Sequence, residues 1–120
     1  MRDDVTVTDP LFQVSTTLDG DMPSLWLSGE LDLDGTGKLR AALADCFARR
    51  SECVVLNLRG LSFCDCAGLN VLLEAKLTAD RIGTELCVEG TRRQVARLLA
   101  LTGADELFAD SARRQPPRTV

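Results

Sequence analysis

The residues of this chain best placed to do chemistry lie together in Leu61-Ser62-Phe63-Cys64-Asp65-Cys66-Ala67-Gly68. Cys66 stands where a helix would begin, and a thiol there loses its proton more readily because the first N–H groups carry partial positive charge. A thiol nucleophile also needs a base, and histidine is the usual one. The sequence contains no histidine and no tyrosine. One residue, not two, separates Cys64 from Cys66, so the pair is not a redox Cys-x-x-Cys motif. Two thiols also fall short of the four ligands of a closed zinc site. The segment therefore reads as neither a catalytic centre nor a metal site. Asp65 can accept hydrogen bonds from the open N–H groups of a first helical turn, alone or while also touching a partner. Phe63 serves either the core or a docking partner. Gly68 either admits a partner's backbone or relieves crowding in the first turn.

Elsewhere the chemical signals are weaker. Asp32 and Asp34 form a carboxylate pair, but they flank a turn, where capping accounts for both. The glycines at 29, 35 and 37 match neither a phosphate loop nor a dinucleotide fingerprint, so no cofactor is expected. Cys46, Cys53 and Cys87 fall within apolar patterns and read as small buried hydrophobes. Five cysteines in a chain with no secretory start argue against a disulfide framework.

Several elements must position the Leu61–Gly68 segment. Residues 12–18 and 24–31 read as two strands of a hairpin, joined by the turn residues Asp19-Gly20-Asp21-Met22-Pro23. In the second strand Leu25, Leu27 and Gly29 alternate with Trp26, Ser28 and Glu30. Asp32 to Gly37 supply caps for a helix reaching about Arg50, with Leu39, Ala42, Leu43, Cys46 and Phe47 on one face. Residues 53–58 are short, apolar and β-branched, as in a buried central strand. Residues 59–67 read as a loop. A second helix spans 68–82, with Leu69, Leu72, Leu73 and Leu77 inward and Gly83 as C-cap. A strand at 85–89 follows. Thr91 to Gln94 then match a capping box ahead of a third helix that ends at Gly103. Leu107 and Phe108 read as a final extended piece.

The fold expected is a single α/β domain, a mixed β-sheet packed with helices and opened by an antiparallel hairpin. Its extent is residues 12–110, with a loose polar segment at 1–11 and a disordered Pro-rich tail at 111–120. A length of 120 residues suits one domain. A net charge of −4, with acids and bases interspersed, gives nucleic acid no phosphate-binding footprint. Arg92-Arg93 reads as a solvated helix start. No apolar run reaches the roughly 20 residues of a membrane span. Residues 1–9 carry no targeting pattern. The cytoplasm is the expected compartment, without a membrane partner.

Three segments in order resemble the STAS domain family, in particular bacterial anti-sigma-factor antagonists. Leu27-Ser28-Gly29-Glu30-Leu31-Asp32 is similar to the Gly-x-Leu-Asp element before the family's first helix. Val55-Leu56-Asn57-Leu58 with Phe63-Cys64-Asp65-Cys66-Ala67-Gly68-Leu69 is similar to its apolar strand followed by Phe-x-Asp-Ser-Ser-Gly-Leu. Leu101-Thr102-Gly103 and Leu107-Phe108 are similar to its closing elements. The resemblance implies a STAS-like domain that is not an enzyme, binds an anti-sigma factor or a related serine kinase, and so permits sigma-dependent transcription. It includes possible self-association. By position, Cys66 matches the family's first serine and Ala67 the serine that takes phosphate, so no phosphoacceptor stands at the family position. The partner surface it implies comprises Asp32, Phe63, Asp65, Cys66, Ala67, Gly68, Leu69 and Asn70. The alternative is a STAS scaffold or small-ligand-binding module in a signalling complex.

Overall fold

The computed structural model describes residues 11–108, so the expectations for residues 1–10 and for the tail at 111–120 lie outside the described residues. The chain forms β1 (Gln13–Asp19), β2 (Met22–Leu31), a 3-10 turn (Leu33–Gly35), α1 (Thr36–Ala48), β3 (Cys53–Cys64), α2 (Cys66–Ile82), β4 (Glu85–Glu89) and α3 (Arg93–Thr102). The four strands make one sheet in the order β1-β2-β3-β4. β1 and β2 pair antiparallel, and β3 runs parallel to both β2 and β4. This is the mixed sheet with an opening hairpin that the sequence pattern called for.

Alternation works where it is unbroken. In β2, Pro23, Leu25 and Leu27 are buried while Trp26 between them is 43% exposed. Trp26 Nε1 donates to Thr17 Oγ1 on β1 at 2.9 Å, which satisfies the indole on the outer face. In α1, Leu39, Leu43, Cys46 and Phe47 form the buried face as expected. α1 and α2 lie side by side, with Arg40 forking onto Glu74 at 3.2 and 3.3 Å across their exposed surface.

β3 is twice as long as its apolar run implies. Its buried apolar residues are Val54, Leu56 and Leu58, then Leu61, then Cys64, with the polar Asn57 buried between them. The spacing of two becomes a spacing of three because β3 carries one extra residue against Trp26/Ser28 and another against Gly29/Glu30. Each β-bulge resets which face the next side chain meets. Residues 59–64, expected as loop, are therefore strand.

β4 pairs only with Cys53–Asn57 of β3. Beyond that point the edge of β3 meets α3, whose Val95 and Leu99 are buried. Cys64 N–H donates to Gln94 Oε1 at 3.0 Å, and Gln94 Nε2 donates to the Cys64 carbonyl at 3.3 Å. The Gln94 amide thus stands in for one residue of a missing strand. The expected capping box does not form for this reason. Arg92, not Thr91, is the N-cap, and its guanidinium has no acceptor for the first-turn N–H groups, so no side-chain cap bond forms.

Two further expectations change. Leu77 is 63% exposed, and the inward position beside it belongs to Lys76, 4% exposed. The lysine buries its stem and sends Nζ to Asp80 Oδ1 at 2.8 Å. Leu107 and Phe108 are not extended: residues 104–108 are helical, and Ala104 and Phe108, one turn apart, are both buried. Gly83 and Gly103 end α2 and α3 in the left-handed region, with φ of 79° and 80°. That conformation comes at no steric cost for glycine.

Candidate partner-binding site

The loop between β3 and α2 begins where two parallel strands end together. Leu31 pairs with Cys64 in the sheet, and the Asp65 N–H reaches the Leu31 carbonyl at 3.1 Å. The 3-10 turn that follows β2 is thereby set beside the start of α2. Both turns are held by carboxylates. Asp65 Oδ1 accepts the Gly68 N–H at 2.9 Å as N-cap of α2. Asp32 Oδ1 accepts the Asp34 N–H at 3.1 Å as N-cap of the 3-10 turn. The hydroxyls nearby are engaged locally, Thr36 Oγ1 with the Leu33 carbonyl at 2.8 Å and Ser62 Oγ with the Gly29 carbonyl at 3.1 Å.

Gly68 has a definite packing role. A Cβ at this position lies 2.6 Å from Leu31 Cγ and 3.0 Å from Cys64 Sγ, well inside contact distance. The open choice between partner approach and internal crowding is answered on the inside: Gly68 lets α2 seat directly on β2 and β3. Leu69 is also buried. These two residues hold the surface up and do not present it.

Of the other residues expected at a partner surface, Asp32, Phe63, Cys66 and Asn70 are exposed, and Asp65 and Ala67 are half-buried. Phe63 is 38% exposed and sits opposite Glu30 in the sheet. Leu33, at the tip of the 3-10 turn, is 70% exposed. The sequence reading passed over Leu33. Its signal was an apolar side chain in Asp32-Leu33-Asp34-Gly35, where turn chemistry needs none. Leu33 and Phe63 thus give the region two exposed apolar groups, accompanied by the carboxylates of Glu30, Asp32 and Asp34.

The thiols here differ in environment. Cys64 is buried, and its Sγ lies 3.4 Å from the Asp65 carbonyl as donor. Burial, with Asp65 and Cys66 adding negative charge, pushes its thiol up to about 12, which keeps it protonated and unreactive. Cys66 is exposed and stands at the first position of α2. Among the described residues no group of three or more histidine, cysteine, aspartate or glutamate side chains is arranged to hold a metal ion. No helix among them is long and apolar enough to cross a membrane.

Two open clefts flank these elements. A shallow one of 290 Å³ lies beside the 3-10 turn, between Phe12, Asp32 and Lys38. A larger one of 620 Å³ lies between the β1–β2 turn and residues 49–53, at the far end of the sheet from Asp65. Size and chemistry do not coincide here, because the larger cleft is remote from both carboxylate caps.

This arrangement of a mixed four-stranded sheet with a capped helix start at the end of its long central strand is a STAS fold. A family model described as "Mlab, STAS domain" matches residues 14–109, and the chain belongs to the STAS domain family. The chain is 36% identical over 78 residues to the anti-sigma F factor antagonist of Paenibacillus polymyxa, across 64% of this chain and 67% of that one. Its fold resembles an anti-sigma factor antagonist from Mycobacterium paratuberculosis, with a TM-score of 0.71 at 19% identity over 86% of this chain and 92% of that one. It also resembles SpoIIAA in its unphosphorylated form, with a TM-score of 0.67 at 18% identity over 81% and 84%. The phosphorylated Bacillus form gives 0.63 at 18% identity over 81% and 87%. The chain is an antagonist-like STAS protein, and antagonists of this type are non-enzymatic.

Proposed function

We propose that this chain is a cytoplasmic protein-binding regulator that sequesters an anti-sigma factor, or a related serine kinase, and so permits sigma-dependent transcription. Its contact surface is centred on Phe63, Asp65, Cys66, Ala67 and Asn70, with Asp32 and Leu33 beside them and Gly68 and Leu69 beneath. Ala67 occupies the position at which the family takes phosphate, so binding is not released by phosphorylation there. The observation that carries the reading is the juxtaposition of two carboxylate-capped turns around exposed Leu33 and Phe63. The apolar groups supply buried area to an interface, while the caps hold the backbone in one conformation before the partner arrives. The kinship with a protein named as an anti-sigma F factor antagonist supports the same reading. No cofactor, nucleic acid or membrane enters it, and a second copy of the chain is an additional partner.

The test is Ala67→Glu. Position 67 lies in the first turn of α2, where a negative charge is favoured by the helix dipole by about 0.3–1 kcal/mol, so the fold survives. Partners captured from the native cells are identified by mass spectrometry and titrated against both forms. The expected result is an unchanged melting temperature with at least tenfold weaker binding. Equal binding of every captured partner by both forms contradicts the proposed surface.

A further inference from the structure

Two thiols stand apart from the partner surface. Cys53 opens β3 and Cys87 lies in the middle of β4, both half-buried. The strand register puts them on the same side of the sheet as Ser24 and Trp26. Their Sγ atoms are 3.5 Å apart, in hydrogen-bonding contact. Yet they are not direct neighbours, because Cys53 pairs with Glu85 and Cys87 with Val55. Two residues along a strand advance roughly 6.6 Å and neighbouring strands lie about 4.8 Å apart, so such offset positions have Cα atoms roughly 8 Å apart, whereas a disulfide needs about 4.4–6.8 Å. A direct S–S bond therefore requires the backbone to move. A single atom bonded to both sulfurs does not, since it leaves them near non-bonded contact, where they already stand.

The geometry points to Cys53 and Cys87 as a dithiol site for thiophilic centres that have two exchangeable bonds, with trivalent arsenicals as the ligand class. An organic arsenoxide condenses with the two thiols. Both S–H bonds and the As=O bond break, two As–S bonds form, and the two protons leave with the oxide oxygen as one water. Arsenic stays trivalent, so no oxidant or reductant is consumed. Cys53 lines the open cleft of 620 Å³ at this end of the sheet, which gives such a reagent a route. The hydrogen bond with Cys87, burial, and the negative charges of Cys87, Glu85 and Glu89 hold the Cys53 thiol protonated well above the usual range. A thiol held protonated is a poor starting point for peroxide oxidation, which begins from the thiolate. The site is also separate from the partner surface. Cys53 and Cys64 bound a strand of 12 residues, a span of roughly 30 Å or more.

The experiment incubates the full chain with phenylarsine oxide, then adds excess 2-mercaptoethanol and measures intact mass. The expected result is one phenylarsenic unit per chain that resists the monothiol and is removed by 2,3-dimercaptopropanol. Trypsin then releases residues 51–59, containing Cys53, joined through arsenic to residues 82–92, containing Cys87. Cys53→Ser and Cys87→Ser each lower retention of the adduct at least tenfold. An adduct carried by residues 60–76, which hold Cys64 and Cys66, overturns the proposal. So does the absence of any monothiol-resistant adduct on the unaltered chain, a readout that needs no variant to fold.

Discussion

Replacing Gly68 with alanine sets two effects against each other, and the structure says which wins. Gly68 is in the first turn of α2, so alanine gains helix propensity of at most about 1 kcal/mol. Its N–H stays in place, so the 2.9 Å bond to Asp65 Oδ1 is not the variable. The new Cβ, however, lies 2.6 Å from Leu31 Cγ, 2.8 Å from Leu31 Cδ2 and 3.0 Å from Cys64 Sγ. Leu31 is fully buried and Cys64 nearly so, which leaves neither side chain open space to retreat into. Forcing an extra carbon into such a site costs about 1–3 kcal/mol, so the net loss is about 1–2 kcal/mol. For a domain of this size that lowers the melting temperature by roughly 4–8 °C. Urea and thermal unfolding of G68A measure it directly. Adding Leu31→Ala supplies the missing room, so in the double variant the G68A penalty shrinks by more than about 0.5 kcal/mol, the usual threshold for coupling. A melting temperature that rises in G68A, as propensity alone dictates, refutes the packing argument.

Further outcomes follow from the same contacts. Asp65→Ala removes the N-cap of α2 and is expected to cost about 1 kcal/mol in urea unfolding. Gln94→Ala leaves the Cys64 N–H and carbonyl without their side-chain partner. The expected loss is about 1–3 kcal/mol, and hydrogen exchange at the Cys64 amide is expected to quicken. Stability is also expected to fall in alkali. The buried Cys64 thiol is raised in the folded chain from 9.0 to about 12. Its contribution is therefore complete below the first value and lost as pH climbs through the second, at up to about 1.4 kcal/mol per pH unit. Urea midpoints measured across that window are expected to decline less steeply for Cys64→Ala than for the unaltered chain.

How legible the molecule is in its sequence depends on whether a residue's job is local. Leu25 and Leu27 in β2, and Leu39, Leu43, Cys46 and Phe47 in α1, bury as their spacing dictates, because one unbroken period governs each element. Asp32 and Asp65 cap as read, since each accepts from an N–H only two or three residues on. The second half of β3 was hidden because two bulges break its alternation, and a bulge depends on the partner strand. Gln94 was misread for a similar reason. Its true partner, Cys64, is 30 residues away, and no local pattern ranks that bond above a capping box. Cys53 and Cys87 look like interior residues in an apolar string, yet they lie half-buried on the face that also carries exposed Trp26, and only the register brings them together. At the candidate site the two carboxylate caps were within reach of sequence reasoning, while Phe63 stood open between core and docking roles. Leu33 gave only the hint of an apolar residue among turn formers, because exposure is decided by what the rest of the chain leaves uncovered.

The most direct measurement uses a tagged chain to capture the proposed partner from its native cells, an anti-sigma factor or related serine kinase, and takes forward a captured kinase. The chain and its Ala67→Ser variant are each incubated with that kinase, magnesium and ATP, then followed by intact mass and by retention on the kinase. The account predicts that the unaltered chain gains no phosphate and stays bound, while A67S gains one phosphate at position 67 and is released. Phosphorylation and release of the unaltered chain, or binding of both forms with no mass gained by A67S, contradicts it.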